Sequence, residues 1–333
     1  MLLTGRHHAG SRFPICLLAA ALTVGCTDVL PGPSNPGPTP PSFYLNGLLD
    51  LVQSNSIKRL TMDWPAFRRQ VERDAAGAST IPDLYPAIRT ALTLLGDGHS
   101  SYEPAGGGMR IYVPNRTCAS PDAVPPSLPQ TIGYVKVTAF SGSGTDATAF
   151  AQSIQSAIAA ADRDDLIGWI VDLRGNSGGN MWPMVAGLGP ILGETLLGYF
   201  IDPIGNEQLW EYRGGASILG GTTQTRVAPP YRLRRPSPKV AVLVDNRVAS
   251  SGEATLVSFR QRPDTRSFGE PTCGLSTVNS SFQLSDGARL ILTVSVLADR
   301  TKTRYGDSIA PDETISDPQQ VVTRAAAWLQ QQD

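Results

Sequence analysis

Two segments of this chain read as strands with apolar side chains on both faces: Ile167-Gly168-Trp169-Ile170-Val171-Asp172-Leu173 and Val240-Ala241-Val242-Leu243-Val244. A strand without a polar face must be covered on both sides, the condition of a parallel sheet wrapped by helices. The neighbouring segments supply that cover. Ile132-Gly133-Tyr134-Val135-Lys136-Val137 reads as another strand, and Phe150, Ile154, Ile158 and Ala161 share one helix face. Phe282–Leu284 and Leu290–Val296 flank Asp286-Gly287, a hairpin turn signal. A last helix over 319–331 buries Val322, Ala326 and Leu329. Alternating strands and helices with a late hairpin predict an α/β core.

Upstream, Leu45, Leu48, Leu49 and Val52, then Trp64, Phe67 and Val71, then Leu84, Ile88, Ala91, Leu92 and Leu95 recur at helical spacing. They predict three helices, the second capped by Asp63. Gly106-Gly107-Gly108 and a proline-rich loop over 120–129 bracket a short strand, Met109–Val113, and mark a boundary. The first residues read as a leader: Arg6 and Arg12 precede an apolar run over 15–24 that is too short to span a bilayer and ends on Gly25-Cys26. The proline-rich stretch over 31–41 that follows is an extended tether. The chain thus divides into a signal peptide (1–26), a tether (27–42), a helical part carrying His99 (43–104) and a core (105–333). Export puts Cys118 and Cys273 in an oxidising compartment, where they either pair or remain separate buried thiols.

Charge narrows the function. With 28 Lys+Arg against 29 Asp+Glu, the net charge of −1 gives no field to attract nucleic acid. His7 and His8 lie in the leader, so His99 is the one histidine of the mature chain, which rules out a histidine-rich zinc site. Taken singly, three segments have both a structural and a chemical reading. His99, in Leu95-Gly96-Asp97-Gly98-His99-Ser100, is either a buried structural imidazole or a presented base. Asp172-Leu173-Arg174-Gly175-Asn176-Ser177-Gly178-Gly179 is either a tight strand-to-helix turn or a source of free N–H groups for an oxyanion. Ser250 and Glu253 have capping-box spacing, and a serine there also sits at the positive end of a helix dipole.

Together, Asp97-Gly98-His99-Ser100, the 172–179 segment, Ser250-Ser251-Gly252-Glu253, Gly269-Glu270-Pro271-Thr272 and Pro311-Asp312 resemble the C-terminal processing (tail-specific) serine peptidases over about residues 43 to 315. The resemblance implies a ClpP/crotonase-like spiral of β-β-α units with a helical N-terminal subdomain. It makes Ser250 the nucleophile, with backbone N–H groups of Ser251 and of Gly178 or Gly179 as the oxyanion hole. One branch of the family uses a Ser–Lys dyad, and its lysine position is Leu275 here. The branch similar to the tricorn protease core takes a histidine from the N-terminal part, which His99 matches, but Gly98 stands where that branch has a serine. No glutamate matches its distal acid near Tyr305-Gly306-Asp307-Ser308, so Asp307 is nominated to orient His99, with Asp299 as rival.

The expectation is an exported peptidase, needing neither metal nor cofactor, that cleaves peptides or unfolded segments through a Ser250 acyl-enzyme with His99 as general base. The alternative is a silent peptide- or small-ligand-binding protein on the same scaffold. Gly25-Cys26 resembles a lipoprotein signal, which makes Cys26 the lipidation site and a lipid anchor in the periplasm or at the cell surface the sole membrane contact; a plain cleaved signal is the other reading. About 30 residues separate Glu103 from Ile132, too few for the ~100-residue inserted PDZ domain common in the family.

Overall fold

The computed structural model describes residues 40–123 and 127–331. The leader, Cys26 and most of the tether lie outside the described residues. The described residues open with helices α1 (Pro41–Asn55), α2 (Trp64–Asp74) and α3 (Tyr85–Leu95), then short strands β1 (Ser101–Glu103) and β2 (Ile111–Tyr112). Next come β3 (Ile132–Lys136), α4 (Gly144–Ala161), β4 (Gly168–Asp172) and α5 (Met181–Leu192). A meander follows: β5 (Thr195–Ile201), β6 (Glu207–Arg213), β7 (Ala216–Leu219) and β8 (Thr222–Arg226). The chain closes with β9 (Val240–Val244), α6 (Ser251–Phe259), β10 (Thr265–Gly269), β11 (Thr277–Gln283), β12 (Arg289–Asp299), β13 (Glu313–Thr314) and α7 (Pro318–Gln330).

The apolar runs of β4 and β9 lie inside a parallel five-stranded sheet of order β13-β10-β9-β4-β3. Side chains alternate across a strand. Val240, Val242 and Val244 accordingly face α4, α5 and α6, while Ala241 and Leu243 face Val322, Ala325 and Leu329 of α7. The second sheet has eight strands, ordered β2-β1-β12-β5-β6-β7-β8 with β11 paired to β12, and every pairing in it is antiparallel. Its Leu197, Phe200, Trp210 and Tyr212 join the cluster formed by α4–α6, while Leu290 and Leu292 of β12 join the cluster of α1–α3.

This arrangement corrects the expected ClpP/crotonase-like spiral. The strands do not repeat as β-β-α units. They sort into one parallel and one antiparallel sheet, and the meander β5–β8 returns on itself through short turns. The fold is α/β, as the buried strands required, with the helical N-terminal part tied to β12 through β1.

Candidate active site

His99 leaves α3 through Gly96, which caps the helix in the left-handed conformation (φ 57°), a conformation that glycine adopts without steric cost. Asp97 Oδ1 accepts from the backbone N–H of His99 (2.9 Å) and of Ser100 (2.7 Å), and Oδ2 accepts from Ser100 Oγ. The His99 carbonyl accepts from Asn279 Nδ2, and Tyr112 OH donates to the Gly98 carbonyl. The imidazole therefore stands on a loop braced from both sides.

Ser250 sits between β9 and α6 at φ 52°, ψ −117°. Its N–H donates to Glu253 Oε2 at 2.8 Å, and the Glu253 Oε1 accepts from Thr272 Oγ1 (2.5 Å) and the N–H of Gly274 (2.9 Å). Glu253 is fully buried, and burial pushes its carboxyl up to about 7 against the hydrogen bonds that favour the charged form. It couples the serine turn to the loop that carries Leu275.

The two side chains meet: His99 Nε2 lies 3.0 Å from Ser250 Oγ. On the other side of the ring, Nδ1 lies 2.7 Å from Thr277 Oγ1 on β11. In the tautomer in which Nδ1 donates to Thr277, Nε2 keeps the lone pair that accepts from the serine hydroxyl. Burial lowers the imidazole pKa to about 4, with Arg110 adding to the fall and Asp97 opposing it, so the ring is neutral at ordinary pH.

The nominated acids are elsewhere. Asp307 is an exposed carboxylate that pairs with Arg116 at 2.6 Å, and Asp299 accepts from Thr301, Thr303 and Tyr305 within its own turn. Thr277 takes the place assigned to Asp307. The oxyanion assignment also divides. Gly178 donates its N–H to Asn176 Oδ1 at 3.0 Å and is committed there, whereas no hydrogen bond among the described residues occupies the N–H of Gly179 or of Ser251. Gly178 serves instead to let the two loops approach. At its φ of 100°, a Cβ would stand 2.7 Å from the Ala249 carbonyl and 2.9 Å from Ser251 N. Asn176 ties the same loops together, accepting at its carbonyl from Ala249 N and donating Nδ2 to the Val137 carbonyl. The buried pair Asp172–Arg174 braces the segment below, with Tyr134 OH also donating to Asp172. Cys118 and Cys273 form a disulfide beside this site.

His99, Ser250, Ser251, Gly179, Leu275 and Thr277 line a cleft of about 1030 Å³. None of the four lysines (Lys58, Lys136, Lys239, Lys302) lines it. A hydroxyl hydrogen-bonded to a neutral imidazole beside free main-chain N–H groups is the equipment of a serine hydrolase.

Residues 131–315 match the model of peptidase family S41, and the chain belongs to that family; it is a serine-type peptidase. It is 25% identical to a nisin-resistance protein of Lactococcus lactis over 300 residues, 89% of each chain. It is 27% identical to a carboxy-terminal processing protease of Bacillus subtilis over 165 residues, 49% of this chain and 30% of that one. Among solved structures, a lipoprotein of Streptococcus agalactiae has a TM-score of 0.70 at 24% identity, covering 88% of this chain and 96% of that one. A photosystem II D1 C-terminal processing protease has a TM-score of 0.58 at 16% identity, covering 87% and 100%. The shared fold is thus that of the S41 and C-terminal processing peptidases.

Family membership also corrects the expected mechanism. Peptide-bond hydrolysis by a serine peptidase stands, but the family's processing proteases work through a Ser–Lys dyad, so a Ser–His pair is not what membership brings. At the position of that lysine this chain has Leu275, and the group that faces Ser250 Oγ is His99.

Proposed function

We propose that Ser250 and His99 are the reacting pair of this peptidase and that its substrates are peptides or unfolded segments laid in the cleft. The supporting observation is the 3.0 Å approach of Ser250 Oγ to His99 Nε2. As Oγ attacks the scissile carbonyl, its proton has Nε2 as acceptor, and the same proton then reaches the leaving amine; water releases the acyl group by the reverse path. The N–H groups of Gly179 and Ser251 face the developing oxyanion, each such donor contributing about 3 kcal/mol of transition-state stabilisation.

The protein is exported, and its substrate is a peptide or protein. The finer reading is a lipid anchor on Cys26, supported by Gly25-Cys26 and the tether. The likeness to a nisin-resistance protein over 89% of both chains makes nisin the first peptide to offer. Purified protein should release fragments of nisin or of an unstructured peptide, read by mass spectrometry, and Ser250→Ala should release none. Stoichiometric binding without fragments by the wild type would make the chain a ligand holder.

A further inference from the structure

The cleft is sided. Met181, Trp182, Phe200, Leu219 and Leu297 line it from α5 and the meander end of the antiparallel sheet. From the β1–β2 end come Arg110, beside β2, and Arg289, the first residue of β12. With His99 neutral, these arginines are the only groups of the lining that carry charge at neutral pH, and no Asp or Glu lines the cleft among the described residues. Glu103, which does not line the cleft, accepts from Arg289 Nε (3.0 Å) and Nη2 (2.5 Å) and lies 3.9 Å from Arg110 Nε. One carboxylate against two guanidinium groups leaves one positive charge. Arg110 directs Nε and Nη2 at Ser101 Oγ, a neutral acceptor, and its side chain is 50% exposed. The guanidinium is thus fixed in direction by the hydroxyl, with its charge only loosely countered by Glu103. It is also near enough to His99 to act on its titration.

Resting on the peptidase reading above, we propose that Arg110 and Arg289 form a carboxylate-binding subsite, so that the preferred peptide places a carboxylate at the β1–β2 end and an apolar side chain at the opposite wall. A guanidinium fork binds a carboxylate through paired, charge-assisted hydrogen bonds. The carboxylate comes either from an Asp or Glu side chain or from the peptide's own C-terminus.

The test compares kcat/KM on one cleaved peptide in four forms: with Glu, with Gln at the same position, with a free C-terminus and with an amidated one. A drop of about tenfold, equivalent to ~1.4 kcal/mol, is expected on neutralising whichever carboxylate is read. A loss with Gln assigns the subsite to a side chain, and a loss on amidation assigns it to the terminus. The ratio should shrink in 1 M salt and collapse toward one in Arg110→Gln, with Arg289→Gln as the second variant should the first fail to fold. Cleavage of all four forms at equal rates, or an unchanged ratio in both variants, overturns the subsite while leaving the peptidase intact; cleavage of none overturns the peptidase reading itself.

Discussion

Ser250 holds φ 52° and ψ −117°, a region that costs a non-glycine residue about 1–3 kcal/mol and that the surroundings must enforce. Glu253 and Asn176 do so, the first by taking the Ser250 N–H, the second by taking the N–H of Ala249. The hydroxyl is thereby aimed at His99. Because burial lowers the imidazole pKa to about 4, the acid limb of kcat/KM should fall near pH 4; a limb near 6.5 would mean that the ring is solvated in the working enzyme. Stability follows the same shift. His99 is depressed from 6.5 to about 4, so its contribution is present above 6.5 and lost as pH falls through 4. Glu253, raised from 4.5 to about 7, runs the opposite way, its contribution present below 4.5 and lost as pH rises through 7. The Tm advantage of wild type over His99→Gln should therefore narrow on acidification from 6.5 to 4. At this scale the sequence is partly legible. His99 stands out by chemistry as the one histidine beyond the first eight residues, whereas Ser250 is legible only through its match to the family's nucleophile motif. Thr277 does not stand out, since a threonine in a strand is ordinary and its role comes from standing 2.7 Å from a ring 178 residues away. The nomination of Asp307 has the same origin: the family pattern asks for a carboxylate, whereas Asp307 pairs with Arg116 and the hydroxyl of Thr277 stands beside Nδ1.

At the scale of elements, the fully buried strands β4 and β9 are legible because their composition admits one environment. The meander β5–β8 is not. Its faces are unequally buried, and its signals are the turns themselves, Gly205-Asn206, Gly214-Gly215 and Gly220-Gly221. The β11 start at Thr277 is equally hidden, since the hairpin read from Asp286-Gly287 gives the turn but not the reach of the strand. The loop between β10 and β11 is fastened by Thr272 and Gly274 to Glu253, and by Cys273 to Cys118. The disulfide closes a separation of 155 residues, and its removal in the Cys118→Ser/Cys273→Ser double variant should cost about 2–5 kcal/mol in urea unfolding. Titration of two thiols in unfolded, unreduced exported protein would show that the bond is not made.

For the molecule as a whole, the contact between Ser250 and His99 is assembled from two hydrophobic clusters. His99 follows α3, which packs with α1, α2 and the Leu290 end of β12, whereas Ser250 opens α6, which packs with α5, the parallel sheet and Leu297 of β12. One strand of 11 residues spans both clusters. That continuity makes the helical part more than an appendage, although composition alone suggests a boundary near residue 104. Calorimetry should give a single transition with matching calorimetric and van't Hoff enthalpies; two separated transitions would mean the clusters fold independently. The account as a whole stands on the serine whose hydroxyl faces that imidazole. Its most direct test is reaction of the folded protein with a serine-directed fluorophosphonate, followed by peptide mapping. The predicted result is one adduct, on Ser250, absent in Ser250→Ala and strongly slowed in His99→Gln; an adduct on another residue, or undiminished labelling of Ser250→Ala, would contradict it.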